Sequence, residues 1–100
     1  MSTFVTLVKY SPEGVKGISA ERTKKAEALL KAEKGKLVSA YGLLGRWDAI
    51  LICELPNEKA ALKVAMQLSE LIGATTETMV GLPLAEFDQL AKSGRQSKKK

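Results

Sequence analysis

The sequence predicts an α+β domain in the order strand, helix, strand, strand, helix, strand, with both helices over one face of a four-stranded antiparallel sheet. Three observations carry this expectation. Ser2–Tyr10 (STFVTLVKY) and Ala74–Leu82 (ATTETMVGL) alternate and are rich in β-branched residues, as strands are. Lys36–Leu44 and Trp47–Leu55 are two more strand-like runs, joined by Gly45-Arg46, which fits a two-residue hairpin turn with glycine first. Residues 20–34 and 58–72 each follow a capping residue, Ser19 or Asn57, and each precedes a glycine.

In chain order, Ser11-Pro-Glu-Gly breaks the first strand, and Gly14 and Gly17 are expected to keep residues 11–18 a loop. The helix over 20–34 carries Glu21–Lys25 and Glu27–Lys31 at i,i+4, with only Ala26, Leu29, Leu30 and a few alanines as an apolar stripe. The two-residue turn sets a hairpin register of 44 with 47, 42 with 49, 40 with 51 and 38 with 53. One hairpin face is then apolar, with Val38, Ala40, Gly42, Leu44, Trp47, Ala49, Leu51 and Cys53, and belongs under the helices. Val5, Leu7 and Val80 are assigned to the same side. The helix over 58–72 repeats Ala61, Val64, Ala65, Leu68, Leu71 and Ile72 at the helical period. Pro83 opens a short last helix, Leu84–Ala91, with Leu84, Phe87 and Leu90 on one side. The expected domain covers residues 1–91, followed by a flexible basic tail, 92–100. This order of elements is the ferredoxin-like βαββαβ arrangement.

Composition narrows the chemistry. The chain has no histidine, which removes His-based acid/base catalysis, Ser-His-Asp and Cys-His pairs and the usual zinc sites. Cys53 is the only cysteine, so no intrachain disulfide forms. No metal site and no cofactor is expected, since neither calcium-loop spacing nor a nucleotide-binding glycine pattern is present. The net charge of +5 is concentrated at the end. Lys92, Arg95, Lys98, Lys99 and Lys100 follow the last acid, and the rest balances at 11 basic and 11 acidic side chains. Nucleic acid is therefore not an expected partner. No apolar run is long enough for a membrane span and no signal-peptide layout opens the chain, so the expected location is cytoplasmic.

The other sheet face is expected to expose Phe4, Thr6, Val8, Tyr10, Ser39, Tyr41, Leu43, Asp48, Ile50, Ile52, Thr75, Glu77 and Met79. An apolar surface of that size calls for a cover, and a second copy stacked sheet on sheet in a homodimer, or a higher oligomer, supplies one. The chain also resembles a known family. Phe4-Val-Thr-Leu-Val-x-Tyr-Ser-x-x-Gly14, Tyr41-Gly-Leu-Leu-Gly-Arg-Trp-Asp-Ala-Ile50 and Thr76-Glu-Thr-Met79 are similar to the GYD domain family over roughly residues 3–91. Its Gly-Tyr-Asp signature aligns on Gly45, Trp47 and Asp48, with tryptophan in the tyrosine's place. The resemblance implies a ferredoxin-like fold of the dimeric α+β barrel type and brings no established activity.

The candidate catalytic residues are Asp48, as a general base or ligand anchor, and Tyr41 beside it. The candidate ligand-binding residues are Tyr10, Tyr41, Asp48, Ile50 and Glu77. For Asp48 the competing role is to satisfy backbone donors at the hairpin end. For the tyrosines it is to line an interface, and for Glu54 and Glu77 to form ion pairs. Trp47 and Cys53 are expected in the core, and Arg46 at an exposed turn. Two functions follow as expectations: binding or sensing of a small molecule by a homo-oligomer, or a cofactor-free monooxygenase or isomerase using Asp48 with a tyrosine.

Overall fold

The computed structural model describes residues 1–98, with side chains as far as Arg95. Four strands, β1 (Ser2–Tyr10), β2 (Lys36–Gly42), β3 (Ala49–Leu55) and β4 (Ala74–Gly81), form one antiparallel sheet in the order β2-β3-β1-β4. The helices are α1 (Pro12–Lys16), α2 (Ala20–Ala32), α3 (Glu58–Ile72) and α4 (Leu84–Lys98). The βαββαβ order and a last helix after Pro83 are as expected, and α1 is added to them.

The sheet is open. Its edge strands, β2 and β4, pair only with β3 and β1 and lie on opposite sides, and among the described residues no strand joins their outer edges, so it is not closed into a barrel. This corrects the dimeric α+β barrel implied by the family resemblance. The physical reason lies at the edges: closure requires the outer sides of β2 and β4 to be taken into a continuous hydrogen-bonded ladder, and no described strand joins either.

α3 is positioned by its caps. Asn57 Oδ1 accepts the Ala60 N–H at 2.9 Å, and Gly73 ends the helix at φ 72 in the left-handed region. Its inner face, Ala60, Ala61, Val64, Leu68 and Ile72, is buried against Phe4 and Val8 of β1 and Ala49, Cys53 and Leu55 of β3. α2 lies beside it and adds Leu30, and Lys63 meets Glu33 at 2.9 Å across the helix pair. At the end of α2 it is Lys34, not the glycine that follows it, that takes the positive φ, 64. Gly35 is needed for closeness instead: a Cβ there would collide with the Glu54 carbonyl and the Leu55 side chain.

Four other expectations need correction. Residues 12–16 are helical, not loop: Ser11 Oγ accepts the Gly14 N–H at 3.0 Å, and Pro12 opens the turn. The face of β1 is inverted. Phe4, Thr6 and Val8 are buried under the helices, while Val5 and Leu7 look outward. The hairpin tip is longer than a two-residue turn. Pairing stops at Gly42 and Ala49, and the Leu43 N–H to Asp48 carbonyl bond at 2.8 Å closes the loop between. Leu44 is consequently fully exposed, and Trp47 sits half-buried beside Lys9, Arg46 and Thr75, away from the core. A bulge at Val38 then shifts the register, so Leu37 opposes Cys53 and packs on the core while Val38 is exposed.

Candidate functional site

The thin apolar stripe of α2 leaves space beneath it. Leu30 is its one fully buried side chain, and the smaller Ala26 precedes it by one turn. Between this stretch and the sheet is a cleft of about 80 Å³. Val8, Ala49 and Leu51 form its floor, Leu68 and Ile72 of α3 its back, and Tyr10, Ile18, Ser19, Arg22, Thr23 and Glu27 its mouth. An apolar interior with a few convergent polar groups at the rim is the usual character of a small-molecule site.

Arg22 organises that rim. Ser19 caps α2 by accepting the Arg22 N–H at 3.0 Å, which places the arginine in the first turn, over the cleft. Its Nη1 donates to the Gly14 carbonyl at 2.7 Å and to the Ile72 carbonyl at 3.4 Å, serving the last turn of α3. The guanidinium carbon lies 5.3 Å from the centroid of the Tyr10 ring, within cation–π range. Behind it, Ser11 Oγ donates to the Gly73 carbonyl at 2.7 Å, and the Ser11 N–H meets the same oxygen at 3.0 Å. The turn before α2 and the turn after α3 are therefore fastened together at the cleft's edge.

The residues singled out from the sequence divide between the two sheet faces. Tyr41 opposes Ile50, Ile50 opposes Leu7 and Leu7 opposes Glu77, so Tyr41, Ile50 and Glu77 lie in one row across the outer face. Tyr10 is on the other side, in the cleft. Asp48 is tied to the backbone: its Oδ2 accepts the Tyr10 N–H at 2.8 Å, its N–H donates to the Val8 carbonyl at 2.9 Å, and Lys9 Nζ is 4.0 Å from the carboxylate. Glu54 lies 3.7 Å from Lys36 and opposes Thr3, four residues along β1 from the position opposite Glu77. Those two acids do not form a pair. Cys53 is buried, with its thiol 3.7 Å from the Phe4 carbonyl, and burial pushes that thiol up from its usual range, away from the reactive thiolate. Among the described residues, no three His, Cys, Asp or Glu side chains gather as a metal site, and no helix is long and apolar enough to cross a membrane.

Arg22, Ser19 and Thr23 were not anticipated as site residues. A signal for Arg22 exists in the sequence. Its i−4 and i+4 neighbours are Ile18 and Ala26, whereas Lys25 and Lys31 each have an acid four residues before them, Glu21 and Glu27. A cation on the apolar side of a helix has a local task.

Similar folds occur among solved structures. The leucine response regulatory protein LrpA of Mycobacterium tuberculosis superposes with a TM-score of 0.54 at 11% identity, over 82% of this chain and 51% of that one. The chain thus spans about half the length of that protein. TTHA0845 from Thermus thermophilus matches with a TM-score of 0.54 at 18% identity, over 83% of this chain and 95% of its own. The hypothetical protein PHS023 from Pyrococcus horikoshii gives 0.54 at 20% identity, over 83% and 92%. At these identities the likeness is one of fold alone. No curated protein sequence matches the chain. The GYD domain profile matches residues 4–91, nearly the whole of the sheet and its helices, and the chain belongs to the GYD domain family.

Proposed function

We propose that this domain binds a small amphiphile in the cleft beneath α2, with a short apolar body inside and an anionic or hydrogen-bond-accepting group at Arg22. The observation that carries this reading is the combination of an apolar cleft of about 80 Å³ with one arginine at its mouth. That volume is about half of the ~150 Å³ at which an engineered apolar cavity takes up benzene, which suits a branched chain of a few carbons. Arg22 has the fork geometry for a carboxylate, and its recorded bonds use Nη1 alone. Isovalerate is a suitable probe. Titration followed by NMR is expected to shift the amides of Tyr10, Ile18, Arg22 and Ala26 together. Ala26→Leu, which fills the cleft, should abolish the shifts, and Arg22→Gln should weaken binding about tenfold, the loss of one charge-assisted hydrogen bond. Shifts confined to the outer sheet face, or none at millimolar probe, would refute the proposal. The cofactor-free enzyme has no comparable support, because Asp48 Oδ2 is engaged by the Tyr10 N–H and Tyr41 is on the face away from the cleft.

A second reading concerns assembly and is supported by the outer sheet face. Val5, Leu7, Ile50, Ile52 and Met79 form a contiguous apolar surface there, with Tyr41 at one side, and no described element lies over it. A second copy stacked on this face, as two open sheets, buries it on both chains. Sedimentation should then show a dimer that Ile50→Lys converts to a folded monomer; a wild-type monomer even at the highest protein concentration used would exclude this mode.

A further inference from the structure

α4 is left uncovered by the rest of the described residues. Every residue from Leu84 to Arg95 is exposed, including the large apolar side chains of Leu84, Phe87 and Leu90. The radius of gyration, 15.9 Å, exceeds the roughly 13 Å of a compact chain of this length, as it must when a helix projects from the body. A 15-residue helix is marginal alone in water, so its stability depends on covering its apolar stripe. The body offers a matching surface. Leu62 and Met66 on the outer flank of α3 and Val80 on β4 are all more than half exposed. Leu62 and Val80, with Phe4, Ala61 and Ala65, border a groove of about 320 Å³ whose one charged lining residue is Glu58.

We propose that α4 of one chain docks in the α3–β4 groove of a second copy, each chain lending its helix to the other. Stripe and groove are both carried by this one chain, so a two-fold exchange satisfies two helices and two grooves and then closes. Charge agrees with this pairing. Arg95 lies beside Leu84 and Ala91 on the helical wheel, at the edge of the stripe, and supplies the cation that Glu58 lacks in its groove. The chain's own groove is not the destination. The two-residue link Leu82-Pro83, stiffened by proline, carries α4 away from the body and leaves the helix exposed as far as Arg95. A helix of this length is about 22 Å long and about 10 Å wide, so two reciprocal contacts bury on the order of 900 Å². That is near the lower limit of about 1,000 Å² for specific interfaces, so the exchange is weak and concentration-dependent.

Cross-linking tests the contact itself, whether or not the outer sheet faces also pair. Full-length chains carrying Phe87→Cys are mixed with differently tagged chains carrying Leu62→Cys and oxidised mildly; Cys53 is buried and does not compete. The expected product is a disulfide joining the two kinds of chain, at a rate that rises with protein concentration. Gln89→Cys, on the opposite side of α4, should couple at least tenfold more slowly. All three sites are exposed, so the variants keep the fold. Equal rates for the two positions on α4, or no product, overturn the proposal. So does a disulfide that forms only within one chain of the double variant Phe87→Cys/Leu62→Cys at a rate independent of dilution, which would mean that α4 folds back on its own body.

Discussion

Gly14→Ala is expected to destabilise the chain by about 3 kcal/mol, the upper part of what overpacking costs, although alanine is ordinarily the better residue in a helix. A Cβ at this position would overlap the Gly73 carbonyl and come within 2.7 Å of the Ile72 carbonyl. Both are backbone atoms at the end of α3 and cannot swing aside as a side chain would. Relief requires α1 to lift from the α3–β4 turn. Lifting it breaks the two Ser11 bonds to Gly73 and stretches the Arg22 bond to Gly14, each worth about 1 kcal/mol. Gly42→Ala is the control, since a Cβ there meets nothing within 4 Å. Urea unfolding should give a lower midpoint for Gly14→Ala and an unchanged one for Gly42→Ala. Equal midpoints would mean that α1 is not clamped, and that the cleft's mouth has no fixed edge.

The clamp also marks where the sequence was legible and where it was not. α3 reads directly because its signals agree: an asparagine cap, apolar residues at the helical period and a glycine taking positive φ. Ser11-Pro12-Glu13 carries the same kind of start signal, but the glycines at 14 and 17 argue for a loop. Only the proximity of the Ile72 and Gly73 carbonyls, a contact about 60 residues distant in sequence, shows why residue 14 is glycine. The hairpin is a mixed case. Its pairing at 42 with 49 follows from the sequence, yet the loop is longer: Asp48 turns its N–H and carboxylate to β1 and only its carbonyl back to Leu43. The bulge at Val38 has no local signal. α4 runs on through Lys98, beyond Ala91, because its apolar positions end while residues such as Gln89, Lys92 and Arg95 still favour helix. Lys99 and Lys100, the end of the expected tail, lie outside the described residues.

The candidate site was half legible for the same reason. Aromatic and acidic residues on strands are easy to nominate, but assigning them to a face depends on strand parity. An error of one residue in β1 moved Tyr10 from the outer row into the cleft. β1 is central and apolar at 4, 5, 7 and 8, so alternation alone does not say which side is inward. The decision comes from its neighbours. Phe4 opposes Cys53 and Val8 opposes Ala49, small residues that leave room for the bulk of Phe4 and for α3 above it.

The inversion has a measurable consequence. Phe4→Ala should cost about 3–5 kcal/mol, because Phe4 is only 3% exposed and its removal opens a cavity against α3 that the surrounding backbone cannot fill. That is a large share of the roughly 5–15 kcal/mol that holds a domain together, so Phe4→Leu serves as a milder second variant. Leu7→Ala removes a half-buried side chain from the outer face and should cost about 1 kcal/mol in a dilute monomer. With Leu7 inward and Phe4 outward, the order of the two costs would be reversed. Denaturant midpoints at low micromolar protein therefore decide the parity of β1 without a structure. Raising the concentration adds a second reading from the same pair. If a second copy covers the outer face, the penalty of Leu7→Ala grows as association is lost, whereas that of Phe4→Ala, which arises within one chain's core, changes much less. An equal concentration dependence for both would place the association elsewhere than on the outer sheet face.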